Sequence, residues 1–155
     1  MADLLKKQIR DRVKANLTGL DTTGTNIFVG RIYPVEESKL PCLLIYDHQE
    51  NIEIGTVSVA GSRTMLSELE ILVEGYAQSS SGELLENILC DIQKEVLIAL
   101  SADPDLNNLV MDCQFSNSEI SLSAEGKKPT GSNKLTLLVN YAYAENRPDI
   151  AVGNE

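Results

Sequence analysis

Residues 68–100 read ELEILVEGYAQSSSGELLENILCDIQKEVLIAL, and a change of period inside this stretch decides the fold class. From Glu68 to Ala77 the side chains alternate. Leu69, Ile71, Val73, Gly75 and Ala77 fall on one face of a strand, and Glu68, Glu70, Leu72, Glu74 and Tyr76 on the other. This is the pattern of a long, half-exposed strand with an acidic face. After the serines, Leu84, Leu85, Ile88, Leu89, Ile92, Val96 and Leu100 form one apolar stripe at helical spacing. Ser80 stands three residues before Glu83, as in a capping box, and Asp103-Pro104 marks an exit, because proline disfavours a helical residue before it. The spacing predicts a helix over Ser81 to Leu100.

Working outward toward the N-terminus, Leu5, Ile9, Val13 and Leu17 recur every four residues, with Lys6, Lys7, Arg10, Arg12 and Lys14 on the other faces. They predict an amphipathic helix with Asp3 as its cap, closed near Thr18-Gly19. Ile27 to Tyr33 is rich in β-branched and aromatic residues and stops at Pro34, as a strand would. Cys42 to Tyr46 is an unbroken apolar run, which reads as a strand covered on both faces. From His48 to Arg63 the pattern loosens, and a hairpin or a long mobile loop is expected.

Toward the C-terminus, three strands are expected, around Met111 to Phe115, around Ile120 and Leu122, and from Leu135 to Tyr143, with a loop from Glu125 to Asn133 before the last. The order gives an α+β fold, two helices packed against a mostly antiparallel sheet of mixed order. Residues 1–145 make one domain, and residues 146–155, with little periodicity, are expected to be a loose tail.

Composition narrows the function. At 155 residues the chain suffices for one hydrophobic core and is too short for a second full domain. Thirteen Lys and Arg against twenty-three Asp and Glu leave a formal charge of −10, which repels polyphosphates and argues against a sequence-independent grip on nucleic acid. No stretch has the length of a membrane span, and the start lacks the apolar core of a signal peptide, so a soluble protein made in a cytoplasm is expected. Cys42, Cys90 and Cys113 fit neither a disulfide framework nor a metal knuckle and read as small buried hydrophobes.

Candidate chemistry is sparse. The chain has one histidine, His48, within Asp47-His48-Gln49-Glu50. Adjacent strand residues point to opposite faces and do not converge on a metal or a proton without a special turn, so His48 reads as a solvent-exposed loop residue. Glu68, Glu70 and Glu74 share a face, and paired carboxylates can hydrolyse glycosides, but no tryptophan supplies a sugar platform. A solvated or subunit-contacting acidic face is the plainer reading. No glycine stands in a phosphate-loop setting, and no serine in a nucleophile elbow. No enzyme activity, cofactor or metal is expected.

The segment Val29-Gly30-Arg31-Ile32-Tyr33-Pro34, followed after a short charged turn by Leu40-Pro41-Cys42-Leu43-Leu44-Ile45-Tyr46, resembles the tail-terminator proteins of long-tailed phages. Lambdoid minor tail protein U and related tail-completion proteins belong to that group. Arg63 to Ala77, the helix over Ser81 to Leu100 and the closing strand Leu135 to Glu145 follow in the same order, so the resemblance spans most of the chain. Cys42 and Leu44 depart from its usual residues, and the Gly126 to Ser132 loop has no counterpart; both leave the tail type open.

The resemblance implies a virion protein, assembled in the host cytoplasm, that forms a ring, commonly of six copies, on the last ring of tail-tube protein. It would stop tube growth and offer its other face to the head–tail connector. Six copies at −10 each would give a negative lumen through which DNA slides, with Glu68, Glu70 and Glu74 as candidate lumen residues. Arg31 or Arg63 against the acidic strand face is the candidate subunit or tube contact, set against the plainer reading that both arginines are solvated. The His48 to Arg63 segment and the tail after Glu145 are candidates to order on contact with tube or connector. The rival readings are a head–tail adaptor or another virion component, a small hydrolase or ligand-binding module using Asp47-His48, and a regulatory domain that dimerises through the exposed strand.

Overall fold

Leu5, Ile9, Val13 and Leu17 are all buried and form the inner face of helix α1 (Leu5–Leu17). The computed structural model describes residues 2–30, 37–57, 63–123 and 128–152. Within them follow β1 (Ile27–Val29), a 3-10 turn at Glu37–Lys39, β2 (Cys42–Val57), β3 (Arg63–Gln78), α2 (Gly82–Ser101), β4 (Asp112–Ser123), β5 (Thr130–Ala144) and β6 (Arg147–Ala151). The sheet order is β1-β2-β3-β5-β4, with β6 also on β5. Only the β1–β2 pair is parallel among these, so the fold is α+β, two helices on a mostly antiparallel sheet.

The period-2 stretch is a central strand. Leu69, Ile71, Val73 and Ala77 are buried toward the helices, alongside Leu135, Leu137 and Val139 of β5. The inner stripe of α2, Leu85, Leu89, Ile92, Val96 and Leu100, seals that row. Each such side chain contributes about 1.5–3 kcal/mol on burial. Two glycines let the helix come close: a Cβ on Gly75 would lie 2.8 Å from Ile92 Cγ2, and one on Gly131 would lie 3.2 Å from both Leu85 and Leu89.

The run Cys42–Tyr46 is buried at every position, as its unbroken apolar character requires. Beyond it the chain stays extended through Val57 and returns as β3, so His48 to Arg63 belongs largely to a hairpin, with residues 58–62 outside those described. Bulges at Asp47/Gln49 and Ile54/Thr56 interrupt its register and explain why the alternation is hard to read in sequence.

Several expectations are corrected. Asp3 does not cap α1: Leu4 is the N-cap, and the Asp3 carboxylate takes the Lys7 ammonium at 2.7 Å instead. The cap of α2 is Ser81, whose Oγ accepts the Leu84 N–H at 3.2 Å, one residue later than the Ser80 box. The two segments around Cys113 and Ile120 are one strand, β4, with a bulge between Phe115 and Asn117 that shifts the alternation. β5 starts at Thr130, five residues before its apolar run, because its polar start pairs with both β3 and β4. Residues 147–151 are not loose. They form β6 on the end of β5, bury Ala151, and accept a 2.8 Å bond from Gln8 of α1 at the Asp149 carbonyl.

Asp103 joins the two helices. Its carboxylate accepts from Arg12 Nε and Asn16 Nδ2, both at 2.8 Å, and from the Asn107 N–H at 3.1 Å. The chain then runs through three left-handed residues, Leu106, Asn107 and Asn108, with φ of 47, 60 and 65°. Left-handed backbone costs an L residue about 1–2 kcal/mol. Full burial of the Leu106 side chain, about 1.5–3 kcal/mol, offsets the cost at that residue, and asparagine tolerates this backbone better than other side chains.

Gly75→Val is expected to lower stability by about 1–3 kcal/mol, because the added methyls must displace Ile92; urea midpoints check it. A pH dependence follows from Asp103. Burial alone would raise its pKa, but the bonds from Asn16, Arg12 and the Asn107 N–H hold it below the ordinary 3.8. A carboxylate depressed in the folded state stabilises above its unfolded pKa and loses that contribution as pH falls through the folded value. Wild type should therefore lose more stability than Asp103→Asn between neutral pH and strong acid; parallel acid-denaturation curves would refute this.

Candidate functional site

The acidic face of β3 is split by burial. Glu68 is exposed and Glu70 partly so, but Glu74 is only 5% exposed. The Glu74 carboxylate accepts the hydroxyls of Tyr46 and Tyr76 and lies 3.7 Å from Lys134 Nζ. It forms the floor of a hollow of about 310 Å³ on the sheet face away from the helices, rimmed by Glu119 and Ser121. Register explains the cluster: Glu74 lies between Leu44 and Lys134 across the sheet, and Lys134 between Glu74 and Glu119. A carboxylate so held is part of the packing, which takes Glu74 out of the solvated acidic face expected from sequence.

The arginines separate. Arg31 lies outside the described residues. Arg63 does not reach the acidic face: its guanidinium holds Glu145 in a two-point pair, Nε donating at 2.7 Å, while the Glu145 N–H donates to the Arg63 carbonyl. This clamp closes the end of the β3–β5 ladder on the surface, where a single ion pair is worth little.

The Asp47-His48-Glu50 group does not converge. His48 is exposed on β2, and its Nδ1 lies 2.8 Å from Glu70 Oε2 on the open face. Asp47 is turned toward α1. Burial raises its pKa, and Arg10 and Lys6 oppose that rise. Glu50, carried to the helix side by the bulge after Asp47, accepts the Tyr141 hydroxyl. Burial first, then the Glu50 acceptor, push the Tyr141 pKa up. Three groups adjacent in sequence thus serve two faces of the sheet. Among the described residues no three His, Cys, Asp or Glu side chains gather as a metal site, and no helix is long and apolar enough to cross a membrane.

The cysteines also divide. Cys42 is buried, which pushes its thiol up to about 11, and Cys113 is half-buried, but Cys90 is exposed on α2, contrary to the expectation of three buried hydrophobes.

The residues that sequence reasoning missed are Tyr46, Tyr76, Lys134 and Tyr141. Tyr76 was within reach of the sequence, two residues from Glu74 on one strand face, but Tyr46 and Tyr141 meet Glu74 and Glu50 only through the register of β2, β3 and β5. Among the described residues, the outer side of β2 is paired with β1 at Leu43–Ile45, and the outer side of β4 is the other end of the sheet order.

No family model matches the chain, and comparison with curated proteins gives no match. Among solved structures, one chain of "Virion of native gene transfer agent (GTA) particle" is similar over 88% of this chain and 92% of that chain, at 10% identity and a TM-score of 0.33. A superposition of that score establishes neither a shared architecture nor a shared role.

Glu74→Ala is expected to cost about 1–3 kcal/mol, the penalty for removing a buried acceptor from two hydroxyls. Glu68→Ala, at an exposed position, should stay within about 0.5 kcal/mol of wild type. Denaturant midpoints of the two variants, measured side by side, check the contrast; equal effects would place Glu74 with the solvated residues.

Proposed function

We propose that this chain is a non-enzymatic structural subunit of a phage tail or phage-like particle, a tail terminator that assembles as a ring on the end of the tail tube. The ring would stop tube polymerisation and present its other face to the head–tail connector, at the tail or neck of the virion. The resemblance carried by Val29–Pro34 and Leu40–Tyr46 supplies the family, and the order of helix, strands, long strand, helix and closing strand agrees with what it implies.

The observation that carries the reading physically is a sheet whose two edges, at β2 beyond Ile45 and at β4, pair with no other described strand. Exposed edges are templates for pairing with another chain, and a head-to-tail contact repeated around a closed ring covers them. Hexamer formation, the tube protein and the connector are the partners of this reading. The net charge of −10 per copy suits a lumen that DNA traverses without sticking. With Glu74 buried, Glu68 and Glu70 are the β3 carboxylates left to contribute to it.

Electron microscopy of the purified protein mixed with tail tubes of its own particle, beside light scattering of the protein alone, tests the reading. Rings seated at tube ends of fixed length are expected. Tubes that stay uncapped and keep growing, with binding to the portal side instead, would replace the terminator by a head–tail adaptor.

A further inference from the structure

Asn51–Val57 of β2 and Ser116–Ser123 of β4 are the two stretches of strand in which every residue is exposed. They lie on opposite edges of the sheet. Each carries an apolar pair at i and i+2: Ile52 and Ile54, exposed by 50 and 52%, and Ile120 and Leu122, exposed by 44 and 47%.

Both pairs look out from the same face. Ile52 and Ile54 lie opposite Ser67 and Met65, in line with the helix-facing row of β3. Ile120 and Leu122 lie opposite Asn133 and Gly131; Asn133 donates to Gln93 of α2, and Leu122 touches the Gly131 position from which Leu85 and Leu89 are also reached. Neither Asn51–Val57 nor Asn117–Leu122 contains a lysine, an arginine or a proline; each carries one acid, Glu53 or Glu119, and the β2 stretch has its bulge at Ile54/Thr56.

We infer that β4 of one copy pairs antiparallel with the distal half of β2 of the next, Ile120 opposite Ile54 and Leu122 opposite Ile52. The occupant of each edge is a second copy of this chain, because the two edges match each other. Strand directions agree: β4 runs opposite to β2 within the sheet, and because Ile54 is level with Met65 of β3 while Ile120, through Asn133, is level with Gly75, copies staggered by ten residues along the strands continue an antiparallel sheet with helices on one side. Charge agrees as well. In this register Glu53 faces Ser121 and Glu119 faces Gly55, with no two acids opposed. A two-fold pairing of β2 with β2 that matches the same isoleucines sets Glu53 against Glu53, which is unfavourable. A two-fold pairing of β4 with β4 avoids that clash but leaves β2 uncovered. The contact falls beyond Leu43–Ile45, where β1 already occupies the edge. It is heterologous, and so propagates until it closes. The inference deepens the ring reading and rests on it for closure.

Disulfide trapping tests it. Glu53→Cys and Ser121→Cys are made separately in a Cys90→Ser background, which removes the exposed native thiol. Each is oxidised alone and in equimolar mixture, with and without tail tubes. A covalent dimer in the mixture, at least about ten-fold above either variant alone, is expected for a directly opposed cross-strand pair. Ser121→Cys cross-linking alone as well as in the mixture would overturn the inference in favour of β4 against β4. No cross-link while the wild type still forms rings on tubes would overturn this interface and leave the ring reading standing. Cross-linking without rings would keep the interface and remove the ring reading. Leu122→Lys, with an unchanged circular-dichroism spectrum, should abolish association; association at wild-type strength would count against the pairing.

Discussion

The packing of α2 onto β3 and β5 is the constraint on which the rest of the structure depends. One row of β3 and one row of β5 meet the stripe from Leu85 to Leu100, and Gly75 and Gly131 let the helix lie close to the sheet. Because side chains alternate along a strand, fixing that row toward the helix fixes what points the other way. Glu68, Glu70, Glu74 and Tyr76 are turned to the open face as a consequence, and the register of β2 and β5 then decides which of them meets a partner.

That consequence separates architecture from chemistry. Glu74 is held by Tyr46, Tyr76 and Lys134, and Glu50 by Tyr141, so the buried Glu74 and the half-buried Glu50 are both taken up by contacts within the sheet. The bulge after Asp47 sends Asp47 and His48 to different surroundings, one beside Arg10 and Lys6, the other to Glu70. What remains exposed and unshielded is strand edge. In a protein with a formal charge of −10, edges that expose isoleucine and leucine without lysine or proline are poorly protected against pairing.

The sequence by itself determined the two helices, the central strand and the buried run Cys42–Tyr46, because each is a local period or an unbroken apolar stretch that only one kind of element can bury. It gave the α+β class for the same reason. Tertiary structure alone decided the length of β2, the single strand from Asp112 to Ser123 and the docking of β6: bulges break the alternation, and polar strand residues are kept extended by neighbours distant in sequence. It also decided the buried state of Glu74, the clamp of Arg63 on Glu145 and the joining of the helices through Asp103, since those contacts link residues tens of positions apart. A carboxylate's partner is a property of register, and register is set only when the whole sheet has closed on its helices.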